Sequence, residues 1–316
     1  MPQHLRVEII NNDNQKLMLY FDAGDVKEID KANLNDCDVY FKRSFCPNYI
    51  LELHPEDKNK IHPLGLNYLI FPNKTDLPAI ERYIHLSKST KSAISGVIAS
   101  IDSKNFLKHQ PRLRNLHSLP RYSLPPKVLF MVTAYDPYDK TDRPKAKIEE
   151  RTHNNETRAN CVRMLRKELG PNFYGGFVHN KYTLKNYKDV LLDIPSNAIK
   201  ANYLKILEEF PICIATTGLH GSIGWKFAEY VAFSRAIVSE TLQYELPGRF
   251  RSDENYLTFT SPEECVEQSL KLLTNHELRS QLMANNAFYY QHYVRPDMLV
   301  FNALSTAMEK LRFKSH

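Results

Sequence analysis

The 316-residue chain has no apolar run of about 18 residues or more, so no segment of it reads as a membrane span. Its first residues, Met-Pro-Gln-His-Leu-Arg, lack a basic segment followed by an apolar one, so no signal peptide is expected and a cytoplasmic location follows. Its five cysteines (Cys37, Cys46, Cys161, Cys213 and Cys265) are odd in number and form no Cys-x-x-Cys pair, which points to neither a disulfide framework nor a zinc site. There is no internal repeat or low-complexity stretch, and no Gly-x-Gly-x-x-Gly after a first strand, which weighs against a nicotinamide-dependent dehydrogenase. What remains is ordinary for a globular protein, with 42% hydrophobic and 25% charged residues and enough length for two cores.

Glycine is scarce, yet three of the ten (Gly218, Gly221 and Gly224) fall within seven residues. Before them, 211–217 (Pro-Ile-Cys-Ile-Ala-Thr-Thr) reads as a buried strand. After them a helix starts near Gly224 or Trp225, with Phe227, Ala228, Val231 and Ala232 as its buried face. A glycine loop between strand and helix lets backbone N–H groups approach a ligand, and the helix N-terminus favours negative charge, so the loop is a candidate phosphate cradle. Glu229 is expected near Lys226 and off the buried face. There the two are either a sugar-binding carboxylate with a phosphate-binding ammonium, or a solvated i,i+3 pair.

Residues 229–238, Glu-Tyr-Val-Ala-Phe-Ser-Arg-Ala-Ile-Val, resemble the Glu-Ala-Met-Ala-x-Gly-x-Pro-Val-Ile element in the C-terminal domain of GT-B glycosyltransferases. In that family the glutamate binds the donor's ribose or sugar and the preceding glycine loop holds its diphosphate. The resemblance assigns Glu229 to the first role, and Gly218, His220, Gly221, Ser222, Gly224, Trp225 and Lys226 to the second. Many retaining members carry another glutamate eight residues earlier, where this chain has Gly221, so the resemblance favours inversion. Tyr-Phe-Lys-Arg-Ser at 40–44 and Pro-Leu-Gly-Leu-Asn-Tyr at 63–68 are also similar to bacterial glycosyltransferase-like proteins.

The implied architecture is α/β, with two Rossmann-like domains facing a cleft. An acceptor-side domain would cover 1–124, a nucleotide-sugar donor domain 125–295, and a C-terminal helix over 296–316 would cross back to the first. In chain order, 5–10 and 17–21 read as strands. Asp22 and Asp25 follow at a strand end, either as acceptor-side bases or as a cap or Asx turn, with His54 and His62 behind them. A helix is expected over 78–106, with Ile94, Val97, Ile98 and Ile101 as its core stripe. Between Lys104 and Lys127 lie six Lys or Arg residues and no acid. That basic stretch is either a solvated connector or a contact for an acidic acceptor, an anionic membrane surface or nucleic acid.

From Lys127 a buried-strand pattern restarts. Asp136 and Arg158 are expected at the cleft, Arg249 or Arg251 near the diphosphate, and capping boxes at Ser261/Glu264 and Thr274/Glu277. No metal is expected, since Asp36-Cys-Asp38 reads as a turn. The implied reaction moves a sugar from a nucleotide-sugar donor to a hydroxyl of a glycan, lipid-linked or other acceptor. The alternatives are a transferase acting on modified DNA bases and a non-catalytic binding protein of the same fold.

Overall fold

The computed structural model describes residues 4–11, 14–70 and 112–314, with side chains followed to residue 310. The helix expected over 78–106 and residues 104–111 of the basic stretch lie outside the described residues. Helices longer than seven residues are labelled α1–α6 below.

The first half forms a four-stranded sheet in the order β1-β2-β3-β4, from His4–Ile10, Lys16–Asp22, Val39–Lys42 and Ile61–Pro63. Strands β2 to β4 are parallel, while β1 returns antiparallel along β2. The burial matches the sequence pattern. β1 alternates between exposed and half-buried residues, whereas β3 is buried throughout.

The second half is a five-stranded parallel sheet in the order β6-β5-β7-β8-β9. Its strands are β5 Val128–Val132, β6 Phe173–Phe177, β7 Ile212–Ala215, β8 Ala236–Glu240 and β9 Tyr256–Phe259. Both faces are covered, which is why β5 is a continuous apolar run. Val128, Phe130 and Val132 point into a core with α1 (Lys145–Leu169) and α4 (Pro262–Thr274). Leu129 and Met131 point the other way, into a core with α2 (Lys200–Glu209) and α3 (Trp225–Ala232). After β5 the chain adds β6 on one side and then β7 on the other. A crevice therefore opens beyond the carboxyl ends of β5 and β7, where open α/β sheets bind ligands.

Helix α5 (His276–Tyr289) runs into a π-helical turn over Tyr290–Val294, and α6 (Pro296–Lys314) then crosses to the first sheet. Ala303 and Ala307, one turn apart and small, seat α6 against Leu17, Leu19, Val39 and Phe41. The two-sheet α/β architecture with a returning helix is thus as the resemblance implied.

One local expectation is corrected, the position of the second cap. At the first, the Ser261 side chain caps α4 through Glu264 N, and the Glu264 carboxylate reaches back to Thr260 N and Oγ1 and to the Ser261 amide. The second cap sits one residue later than expected. Asn275, not Thr274, accepts from Leu278 N at 2.9 Å, because α4 continues through Thr274. The connector from Arg112 onward is mostly exposed, as the solvated reading has it, and is anchored at a few points. Leu116 is fully buried in the core of the second half, and Ser118 N donates to Ala232 O at 3.1 Å. No helix among the described residues is long and apolar enough to cross a membrane.

Candidate functional site

A cavity of about 410 Å³ lies at the β5/β7 switch point. Its floor comes from Met131 to Thr133 at the end of β5 and Ile214 to Thr216 at the end of β7, and the first turn of α3 with Gly218 closes one side. Among its lining side chains are three cations (Arg158, Lys200 and Lys226) and a single carboxylate, Glu229. Aromatic walls come from Tyr135, Tyr203 and Trp225, the last 45% exposed at the rim.

The glycine loop differs from the cradle expected of it. Its N–H groups are largely spent within the protein: Gly218 N donates to Ser222 O at 2.7 Å, Ser222 N to Leu219 O at 3.2 Å, and His220 N to the Glu150 carboxylate at 2.5 Å. His220 is in the left-handed region with φ 61°, its carbonyl accepts from Tyr244 OH at 2.5 Å, and its side chain does not line the cavity. At the start of the loop, Glu240 accepts from both Thr217 N and Thr217 Oγ1. Gly221 has φ +65°, so a side chain at this position needs a strained backbone, while the Gln243 amide that a Cβ would meet is exposed and can swing aside. The cavity is reached further on. Gly224 caps α3 without any side-chain hydrogen bond, and Gly224, Trp225 and Lys226 all line it. The first amides of a helix have no intrahelical acceptor, so this end, and not 218–222, is the one suited to an anion.

Glu229 is corrected from the expected exposed face. It is 3% exposed because α3 is packed almost all round, by β7, by α5 and by the π turn. Its Oε1 is bound by Lys200 Nζ, while Oε2 has no hydrogen-bond partner. The Lys226 ammonium donates to Met131 O at the end of β5 and lies 5.2 Å from the Tyr203 ring centroid. Burial is the main cause that lowers its pKa to about 8; Glu229 pulls it upward, and Lys200 and Arg158 push it further down. Burial likewise raises the Tyr203 hydroxyl, followed by the nearby Tyr230 and Glu229.

Arg158 lines the cavity but is committed to the scaffold. It donates to Thr133 O at 2.7 Å, Thr217 O at 2.8 Å and Thr216 Oγ1 at 3.0 Å, tying the ends of β5 and β7 together. Asn155, fully buried on α1, brackets Tyr135 by accepting from its N–H and donating to its carbonyl. Asp136 accepts from Tyr138 N at 2.9 Å in an Asx turn and lies outside the cavity lining. Arg249 is corrected too. It is exposed, pairs with Glu254 at 2.6 Å and borders a different surface groove, and Arg251 is exposed as well.

The strand-end carboxylates of the first half have other employment. Asp22 is 3% exposed, and its Oδ2 accepts from Tyr40 OH at 2.6 Å and Lys42 Nζ at 2.7 Å while Oδ1 accepts from Gly24 N at 2.8 Å. With three of its roughly four lone-pair sites occupied and the side chain buried, the carboxylate serves the scaffold and is not the free base expected of it. Asp25 is half-exposed and paired with Arg43, whose other nitrogen donates to Ile223 O in the glycine loop at 2.5 Å. His62 borders a second cavity of about 210 Å³ near α6, with Nε2 unpartnered and its pKa lowered chiefly by burial; His54 is exposed. Among the described residues no group of three or more His, Cys, Asp or Glu could hold a metal ion.

Sequence reasoning passed over Lys200, Tyr203, Tyr135 and Asn155. Lys200 opens α2, and nothing local to it signals a partner 29 residues away.

No protein-family model matches the chain, and a search of curated proteins finds no match. Among solved structures, a glycosyltransferase from Rickettsia africae is 12% identical with a TM-score of 0.45, over 93% of this chain and 70% of its own. TarM from S. aureus, solved with Fondaparinux, alpha-GlcNAc-glycerol and UDP, is 12% identical with a TM-score of 0.43, over 87% of this chain. The C-terminal domain of a glycosyl transferase group 1 family protein from Francisella tularensis is 10% identical with a TM-score of 0.40, over 57% of this chain and 96% of its own. The chain spans 44% of the length of TarM. At such identities and TM-scores these structures decide nothing about the site, and what the cavity can do rests on its own side chains.

Proposed function

We propose that the chain is a glycosyltransferase that moves a sugar from a nucleotide-sugar donor to an acceptor hydroxyl, with the donor in the switch-point cavity. The observation that carries this reading is the charge layout. Three cations and the uncapped start of α3 surround one buried carboxylate, of which one oxygen has no hydrogen-bond partner. A nucleoside diphosphate matches both halves. Its phosphates suit the cations and helix amides, and its ribose hydroxyls suit an acceptor such as Glu229 Oε2.

Departure of a nucleoside diphosphate develops charge on its terminal phosphate. Lys226 and the α3 amides offset that charge in a partly enclosed site, so the reaction proceeds without a metal ion. Inversion needs a base from the acceptor side to take the attacking hydroxyl's proton. Asp22 is buried and held by Tyr40, Lys42 and Gly24 N, which leaves Asp25 and His62 as the groups to substitute first.

The test is thermal unfolding with UDP, GDP, ADP, TDP and CMP, each with and without magnesium. A ligand at 100 times its dissociation constant stabilises the fold by about 2.7 kcal/mol, a readable shift in melting temperature. A metal-independent shift with one nucleotide, absent in Glu229→Ala, is the expected result. No shift with any of them would overturn the donor-site reading.

A further inference from the structure

Neither backbone strain nor packing requires a glycine at 224. Its φ is -70°, open to any residue, and a Cβ built there meets nothing within 4 Å. Gly224 lines the cavity, and its N–H donates to no group among the described residues. A glycine so placed leaves its backbone open to close approach by a ligand. The carbonyl on the same peptide plane, Ile223 O, is held by the other half of the molecule. Arg43, just after β3 and 8% exposed, donates to it through Nη2 at 2.5 Å, while Nη1 pairs with Asp25 and reaches Ala23 O. In a trans peptide the C=O and N–H point in opposite directions, and the described residues include no cis peptide. The Gly224 N–H is therefore turned away from Arg43, which itself does not line the cavity.

Resting on the nucleotide-sugar reading of this cavity, we infer that Arg43 is a positioning residue for the phosphate end of the donor. By fixing the Ile223 carbonyl on its own side of the peptide, it presents the Gly224 amide to a phosphate oxygen. A side chain of the first half thus completes the anion site of the second. An anion on the N–H polarises the same peptide and strengthens the bond its carbonyl accepts, so donor binding and the contact between the halves reinforce each other. A long-range attraction between the guanidinium and the phosphates would act whether or not that amide is present.

Calorimetry with UDP, GDP and ADP separates the two through a double-mutant cycle. Gly224→Pro removes the N–H at a φ that proline favours, and should weaken the best-binding of the three nucleotides about tenfold, as for an amide bonded to a charged oxygen. Arg43→Met should weaken it about fivefold in the wild-type background and less than about twofold in the Gly224→Pro background. Should Arg43→Met not fold, Arg43→Lys, which keeps the charge and gives up the fork between Asp25 and Ile223 O, takes its place with the same pattern expected. Should Gly224→Pro not fold, the Gly224 amide resonance of isotope-labelled protein, assigned by its loss in Gly224→Ala, should shift on nucleotide addition in the wild type and far less in the Arg43 variant. Undiminished affinity in the Arg43 variant, an Arg43 effect of equal size in the Gly224→Pro background, or a Gly224 resonance that does not respond would each overturn the inference while the donor site stands. A wild type that binds none of the three nucleotides overturns the donor-site reading itself, and the inference with it.

Discussion

Asp22 and Glu229 are both about 3% exposed and both face a lysine, one at the ligand end of the first sheet and the other at the ligand end of the second. They differ in what is left over. Asp22 is met by an ammonium, a phenol and a backbone amide, and its lysine, Lys42, is 1% exposed. Glu229 is met by one ammonium that still reaches solvent, its other oxygen is buried without a hydrogen-bond partner, and the residue lines a cavity. Position at a strand or helix end therefore does not make a carboxylate functional. Unspent hydrogen-bonding capacity in a residue that lines a cavity marks one as a candidate.

The sharpest way to break this comparison is to remove each carboxylate in turn and read stability and binding separately. Asp22→Ala strands the buried Lys42 ammonium and should cost about 3–5 kcal/mol in denaturant unfolding, the usual penalty for breaking a buried pair from one side. Asp22→Leu with Lys42→Met, which removes both charges, should recover most of it. Retained stability in Asp22→Ala alone would show that the pair is not buried as described. Glu229→Ala should move the unfolding midpoint far less, because the Lys200 side chain, 36% exposed, can turn to water. Its effect should appear in nucleotide affinity, lowered about tenfold to a hundredfold by the loss of a charge-assisted hydrogen bond of about 1.5–3 kcal/mol. Isothermal titration decides it, and unchanged affinity would remove Glu229 from the site.

Lys226 refines the same contrast through pH. Burial lowers its folded-state pKa from 10.5 to about 8, so between those values the unfolded chain binds more protons than the folded one. The ligand-free protein should therefore gain stability as pH rises from about 8 toward 10.5, the opposite of what a lysine stabilised by a salt bridge would give. Nucleoside diphosphate affinity should fall over the lower part of the same interval, as the ammonium is lost. Lys226→Met should flatten both trends, and an unchanged pH profile in that variant would assign the titration to another group.

Much of this was legible in the sequence because it depends on local pattern. The continuous apolar run at Val128–Val132, the strand-loop-helix order around 211–232 and the return of the helix after Pro296 all appear where expected. Glu229 was misplaced because a helical-face argument assumes one buried side, whereas α3 is packed both by the strand before it, β7, and by the distant α5 with its π turn. The glycine loop was overread for a related reason. Its amides are satisfied by Glu150 and by its own carbonyls, and no spacing rule reports a partner 70 residues away. Asp22 shows the same limit, since its lysine and tyrosine come from the neighbouring strand β3.

Arg249 tests the comparison from the other side, as a cation that sequence position placed at the diphosphate and the fold does not. Its guanidinium is exposed, lies outside the switch-point cavity, and already pairs with Glu254, which raises the arginine's pKa and holds the glutamate's low. An ion pair in water contributes little to stability, and its field is screened within about 8–10 Å at ordinary salt. Arg249→Ala should therefore change nucleotide affinity by less than twofold, the smallest effect in this series, under conditions where Glu229→Ala is readily measured. A loss comparable to that of Glu229→Ala would mean that the 244–251 loop closes over the cavity when ligand binds, and that the charge count of the empty site omits a cation that matters.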